Sequence, residues 1–445
     1  MTHGEILLLM TALFLIFGYM GVPVVFALMA GVLTACLLTP ISMQSMIGQM
    51  FHGIDSEILL AVPFFLLVGE LMTSANVTNR MIALAQTMVG HMRGGLAQVV
   101  TLFSMFFAGI SGSSTADVAV LSRTVAPEMD REGYDRAFTA ALIACASTMA
   151  NLIPPSIMAV VYGAIGNVSI GGLFLAGVAP GIVVGIGLMI YSHFFGPVGM
   201  KKPRASLCEF AAAARASVLP MMIPVIIMGG ILTGWFTPTE AGMIASVYIL
   251  LVIVPLLNPG HIRRLPRDFV YTGLLYSLPL ALVAAASAFG WMLAYLRGPD
   301  IVSGWIETYA GTDGRMIMFL LVLLFIIIGD FMDAVPAIII FMPIIIKLNE
   351  LGNINPLHMG VVIITTLVFG LITPPYGLSL LVASKFVGVQ FSKAMYASLP
   401  IYVVFFVTIG FTVFFPDVVL YLPKLLLPES VGCFRSPTGG YICPP

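Results

Sequence analysis

Four apolar stretches, each long enough to cross a bilayer, are interrupted near mid-length by glycine, proline and short polar residues. The interruptions read GISGSSTAD (Gly109 to Asp117), NLIPPS (Asn151 to Ser156), GDFMDAVP (Gly329 to Pro336) and ITPPYG (Ile372 to Gly377). Hydrocarbon offers no partner to the backbone groups that such residues free, so a break of this kind survives only inside protein or along a cavity. Composition is what makes the constraint bind. Of 445 residues, 60% are hydrophobic and 9% charged, against about 45–50% and about 25% in soluble chains. The mean hydropathy is +1.07, and the apolar content supplies about ten spans of roughly 20 residues. An all-α polytopic membrane protein is the class that fits. A soluble enzyme, a disordered chain and a disulfide scaffold are excluded, and Lys+Arg 19 against Asp+Glu 20 leaves no footprint for nucleic acid.

The breaks repeat. A lag of 216 carries Gly18 to Gly234 and Asp117 to Asp333, and a lag of 220 carries Pro154-Pro155 to Pro374-Pro375. A glycine break, an acidic tip and a double proline in the same order predict two homologous halves. The first covers 1–200, with a hairpin at 97–125 and a broken helix at 138–165. A cytoplasmic linker follows at 201–215. The second half covers 216–427, with a hairpin at 316–346 and a broken helix at 359–387, and a tail of unassigned role runs over 428–445. If each hairpin is re-entrant and each broken helix crosses, 14 of the 19 basic residues fall on one side, counting Lys201 and Lys202. The positive-inside rule makes that side cytoplasmic, so both termini are periplasmic and the halves are inverted.

Inverted repeats with broken helices meeting near the midplane are a transporter architecture, in which half-helix N-termini face anions and freed carbonyls coordinate cations. The first tip and its facing break offer Ser111, Ser113, Ser114, Thr115, Asp117, Asn151 and the carbonyls around Pro154. The second pair offers Asp330, Asp333, Thr373, Pro374, Tyr376, Gly377 and Ser379. Hydroxyl, amide, carboxylate and carbonyl oxygens suit a hard cation such as Na⁺. Capping is the plainer duty of Ser, Thr, Asn and Asp at such points. Membrane depth and the equivalence of Asp117 and Asp333 argue for function there. Thr237-Pro238-Thr239-Glu240 reads as a capping box. Glu70 reads as an interfacial residue, the six scattered histidines carry no ligand role, and of the five cysteines only Cys433 and Cys443 lie close enough in sequence to pair. No resident cofactor is implied.

On GISGSSTADVAV (109–120), NLIPPS (151–156), TPTEAG (237–242), AAASAFGWMLA (284–294), GDFMDAVPAIIIFMPI (329–344) and ITPPYGLSL (372–380), the chain resembles the large membrane subunit of tripartite ATP-independent periplasmic (TRAP) transporters. The resemblance runs from the first span to about Leu427. It implies an elevator-type fold of the wider ion-transporter superfamily in a bacterial inner membrane. It further implies Na⁺-driven uptake of a dicarboxylate, sialic acid or other sugar acid. A periplasmic substrate-binding protein delivers the acid, and a small four-helix membrane subunit, here a separate polypeptide, buttresses the scaffold. In that family the cation sites lie between each hairpin tip and its facing break. Two alternatives stand beside this reading. One is a stand-alone anion carrier of the same superfamily. The other is an intramembrane hydrolase using a buried Ser or the pair Asp330 and Asp333, one helical turn apart, though no general base accompanies Ser113. The sequence does not single out the acid.

Overall fold

The computed structural model describes residues 2–75, 77–196, 203–375 and 377–432, with the backbone alone at 434–435 and 441–442. Lys201, Lys202, Tyr376, Cys433 and Cys443, on which parts of the sequence reading rest, lie outside the described residues. Among the described residues the chain is helical, apart from one antiparallel pair of two-residue strands in the tail.

The first repeat runs α1 (His3–Tyr19), α2 (Val24–Leu38), α3 (Met43–Ile54), α4 (Ala61–Ser74), α5 (Thr78–Val89), α6 (Gly95–Ser111), α7 (Ser114–Thr124), α8 (Ala126–Arg131), α9 (Arg136–Ser147), α10 (Ile157–Gly166) and α11 (Ile170–Phe195). The second runs α12 (Leu207–Leu232), α13 (Pro238–Tyr248), α14 (Val254–Leu257), α15 (Leu265–Tyr295), α16 (Gly298–Ala310), α17 (Gly314–Phe331), α18 (Ala334–Leu351), α19 (Pro356–Gly370), α20 (Leu378–Val387) and α21 (Phe391–Phe414). Seven helical segments among these are long and apolar enough to cross a membrane unaided. The short apolar ones, including α6, α10, α19 and α20, span 10–17 residues, and at 1.5 Å per residue fall short of a hydrocarbon core of about 30 Å. They flank the breaks, as the sequence requires.

Local chemistry sets the boundaries. Thr237 accepts from the Glu240 N–H while Glu240 Oε2 accepts from the Thr237 N–H at 2.8 Å, the reciprocal cap read from the sequence. Ser206 and Glu209 make a second such box, so α12 is helical from Leu207 and takes up half of the segment read as a linker.

Helix boundaries also correct the lag. The first break turns at Gly21 (φ +82°) and its counterpart at Gly234 (φ +72°), 213 residues apart. From the hairpins onward the lag is 220: α7 and α18 start at Ser114 and Ala334, α9 and α19 at Arg136 and Pro356. A lag of 216 averages two true offsets, because the extra residues enter between the scaffold helices and the hairpin. Asp117 and Asp333 are therefore not equivalent. Asp333 is the N-cap of α18, whereas the N-cap of α7 is Ser113, and Asp117 lies a turn further in.

The pairs α1 with α2 and α12 with α13 pack within themselves, α4 packs on α13 and α15, and α15 packs across on α18. Both arms of the first hairpin, α6 and α7, pack on α9, and both arms of the second, α17 and α18, pack on α19. Beyond each break the chain crosses over: α20 packs on α7 and α9, and α10 packs on α18. The residues of α9 and α19 facing these partners are buried almost without exception. In α9 the small side chains of Ala140, Ala141, Ala144 and Ala146 let neighbours approach closely, as packing in lipid favours.

Candidate functional site between hairpin tips and helix breaks

At the first tip, α6 ends at Ser111 and Gly112 (φ +59°) turns the chain into α7. A Cβ on Gly112 would lie 2.6 Å from the Pro155 carbonyl oxygen, and one on Gly109 would lie 3.7 Å from the Pro154 carbonyl. Glycine at 112 lets the tip press onto the double proline of its own break, while a Cβ on Gly109 would crowd Pro224 of α12 at 3.1 Å. Ser111 Oγ donates to Asp117 Oδ1 at 2.5 Å, and Ser113 Oγ lies 3.0 Å from Thr115 Oγ1. Asp117 is fully buried, and its Oδ2 has no donor. Asn151, 5% exposed, also has an unpartnered Nδ2. The enclosed Asp117 oxygen, if ionised, costs several kcal/mol, on the order of any buried unpaired charge, unless a cation or a proton neutralises it. The Asn151 carbonyl is taken by Ser156 Oγ at 2.6 Å, so that residue's backbone is committed to the break itself.

At the second tip, Asp330 Oδ1 accepts from Thr373 Oγ1 at 2.5 Å, joining hairpin to break. Asp333 Oδ1 accepts from the Ala334 N–H at 2.7 Å, so it caps α18. The two aspartates turn to different partners and share no hydrogen bond. The Ile372 carbonyl accepts from Tyr402 Oη at 2.6 Å, and the Leu371 carbonyl from the Ser379 N–H at 3.0 Å. Gly377 (φ +42°) N-caps α20. Pro374 and Pro375 are exposed, whereas Pro154 and Pro155 are buried. Both double prolines contain a cis bond.

Both tips meet one cavity of about 1060 Å³, whose wall includes Ser113, Ser114, Thr115, Asn151 and Asp333. Asp330 does not line it. Ser379 Oγ donates to Ser114 Oγ at 3.2 Å, which ties the second break to the first tip. The wall also carries Glu70, Arg123, Arg264, Arg267, His261 and Asp268. Sequence reasoning gave His261 no role, yet His261 Nε2 lies 2.6 Å from Asp268 Oδ2, and Ser74 Oγ is 3.1 Å from each. Ser74 and Asp268 both address the same ring nitrogen, so the trio does not form the relay of a nucleophilic triad. It fastens the end of α4 to the start of α15. Those residues are 187 and 194 positions apart, and no local pattern announces the contact.

Residues 9–418 match the family described as the tripartite ATP-independent periplasmic transporter, DctM component. The chain is 38% identical over 402 residues to the C4-dicarboxylate TRAP transporter large permease protein DctM of Pseudomonas aeruginosa, covering 89% of this chain and 93% of the relative. It is 35% identical to the sialic acid TRAP transporter large permease protein SiaM of Vibrio cholerae, with 93% and 98% covered. It is 32% identical to the 2,3-diketo-L-gulonate TRAP transporter large permease protein YiaN of Escherichia coli, with 90% and 95% covered. In fold it is similar to the Alcanivorax borkumensis YdaH transporter, known from a crystal structure, with a TM-score of 0.57 at 14% identity, covering 86% and 88%.

Proposed function

Because the chain belongs to the tripartite ATP-independent periplasmic transporter family, as its large membrane component, we propose that it performs Na⁺-coupled uptake of a small organic acid. A periplasmic binding protein delivers the acid, and a small membrane subunit braces the scaffold. The observation that carries the coupling is the enclosed Asp117 Oδ2, a carboxyl oxygen left without a partner while Oδ1 takes the Ser111 hydroxyl. Ser111, Asp117 and Asn151 would hold one Na⁺. Asp330 and Thr373 would hold another. Ser113, Ser114 and Thr115, at the start of α7, would meet the carboxylate, with Ser379 holding Ser114 from behind and Asp333, Pro374 and Gly377 shaping the second tip. The relatives' acids, C4-dicarboxylate, sialic acid and diketogulonate, define the class.

Motion in this proposal is travel of the hairpin unit, with α11 and α21, against the scaffold of α1, α2, α4, α12, α13 and α15. The cavity wall carries Arg123, Arg264 and Arg267, which the basic-residue asymmetry would assign to the cytoplasmic side, with both termini periplasmic. One experiment tests these parts together. The complex is reconstituted in vesicles with the binding protein and small subunit, and uptake of succinate, sialic acid and diketogulonate is followed. An inward Na⁺ gradient should drive accumulation of one of them. Equal uptake from a proton gradient in sodium-free buffer overturns the coupling, and uptake of none overturns the substrate class. In a second arm, cysteines replace Gly290 on α15 and Ile340 on α18, where a Cβ at 290 would lie 3.6 Å from the Ile340 Cα. Their cross-link should arrest uptake until reduced. Undiminished transport by the cross-linked protein overturns the travel. A third arm places a cysteine at Gly352, which should label from outside intact cells; labelling only after permeabilisation overturns the orientation.

A further inference from the structure

Ser379 has two attachments, and they point to different repeats. Its backbone N–H donates to the Leu371 carbonyl at 3.0 Å and so closes the loop of the second break, which carries Thr373 and through it Asp330. Its hydroxyl donates to Ser114 Oγ at 3.2 Å, on the first residue of α7. Ser114 sits between Ser111 and Asp117, the bonded pair of the first site. Ser114 is 5% exposed and Ser379 is fully buried, so water does not compete freely for the bond.

The repeat supplies an internal control. At the lag of 220 the other repeat has Ala334 in place of Ser114 and Ala159 in place of Ser379. Neither side chain can make a hydroxyl bond, and both are buried. The fold stands without the bond on that side, so packing of a half-helix on a hairpin does not require it.

We infer that the Ser114–Ser379 hydrogen bond couples the two cation sites, so that ordering of the second break on cation binding helps to order the first tip, and the reverse. Ser114 and Ser379 are then positioning residues between the sites, and Ser114 also lines the cavity. The inference rests on the cation reading given above. It works in one sense only across the pseudo-symmetry, because the opposite crossing is Ala334 and Ala159. A neutral hydroxyl bond of net worth about 0.5–1.5 kcal/mol corresponds to a roughly two- to tenfold change in affinity, enough to join two binding steps into one transition.

The test uses Na⁺ alone as ligand on the purified complex with its small subunit, with choline replacing Na⁺ to hold ionic strength constant. Thermal stability is titrated against Na⁺. The wild type should give one sigmoidal transition with a Hill coefficient above 1. Ser379→Ala and Ser114→Ala should each lower the coefficient to 1 and raise the half-effective Na⁺ roughly two- to tenfold, the double variant should add nothing to either, and Ser379→Thr should restore the cooperativity. A Hill coefficient above 1 retained in both alanine variants overturns the inference while leaving the cation reading intact. Additive losses in the double variant overturn it as well, because two independent supports would then be at work. A wild type indifferent to Na⁺ overturns the cation reading and this inference with it.

Discussion

The two tip-and-break junctions are built on the same backbone plan and differ in how tightly they are shut. At the first, Gly112 and Gly109 lie against the carbonyls of a buried double proline, and Ser111 and Asp117 are fully enclosed. At the second, the close approach is between Gly329 and Gly370, a Cβ on Gly370 falling 2.6 Å from the Gly329 carbonyl oxygen, while Pro374 and Pro375 are exposed. Gly329 and Gly109 are equivalent at the lag of 220, so the hairpin arm is the same but presses on a different part of its broken helix. The first junction is gripped by its own break and by Ser379 of the other. The second, with Asp330 and Asp333 half-buried, is held by fewer side chains. Duplication therefore conserves where backbone is freed, and side-chain chemistry then leaves one junction sealed and the other looser.

Neutralising the two carboxylates in turn breaks this comparison most directly. Asp117→Asn leaves the enclosed Oδ2 position without its charge, and Na⁺-driven uptake in proteoliposomes should fall by about a hundredfold or more, on the scale of losing a buried charge contact worth about 3 kcal/mol. Asp330→Asn keeps an acceptor for the Thr373 hydroxyl at a half-exposed position. It should raise the Na⁺ needed for half-maximal uptake by roughly tenfold and leave the maximal rate within about threefold of wild type, as a partly solvated contact of about 1.4 kcal/mol would. Equal loss from both substitutions would show that exposure does not distinguish the sites.

How far the sequence discloses this arrangement depends on which feature is asked. Glycine, proline and polar residues inside apolar stretches announce the breaks, because lipid forbids them elsewhere. The positions of α6/α7, α9/α10, α17/α18 and α19/α20 follow to within a few residues. The pairing Asp117 with Asp333 fails because a single lag cannot see where insertions fall, and only helix starts at Ser114 and Ala334 reveal an offset of 220. Donor types at each tip are legible, but not their use. Nothing local says that Asp333 would spend an oxygen on the Ala334 N–H while Asp330 reaches Thr373, 43 residues away. The Ser74, His261 and Asp268 cluster and the Ser114–Ser379 bond, 265 residues long in sequence, are products of tertiary packing alone.

Glycine replacements sharpen the comparison at a smaller scale. Gly112→Ala places a Cβ 2.6 Å from the Pro155 carbonyl at a residue with φ +59°, so backbone must shift and the left-handed turn is strained. Gly329→Ala meets the Gly370 Cα at 3.2 Å with ordinary backbone, a crowding that a few tenths of an ångström relieve. The first should lower thermal stability of the purified complex by about 2–3 kcal/mol, the sum of overpacking and positive-φ strain, and the second by about 1 kcal/mol. The reverse ranking would mean that the second junction is the tighter one.

The smallest effect belongs to a contact that only the second hairpin has. Lys347, near the end of α18, donates to Asp300 in the first turn of α16, where the first hairpin offers Arg80 and Pro127 at the corresponding positions. Both side chains are about half exposed, so the pair is screened and Lys347→Met should move the thermal midpoint very little. Its pH behaviour has a definite sign. The Lys347 hydrogen bond and charge hold the Asp300 carboxyl below the usual carboxylate range. A group lowered in this way contributes its stability above the unfolded value of about 3.9 and loses it only as pH falls through the lower folded value. The difference between wild type and Lys347→Met should therefore stay constant from pH 7.5 to pH 5, and shrink as salt is raised. A difference that swings within that interval would assign the tether to some other group. A loss of uptake as deep as that of Asp117→Asn would show that the second hairpin depends on its outer anchor as heavily as the first depends on its sealed tip.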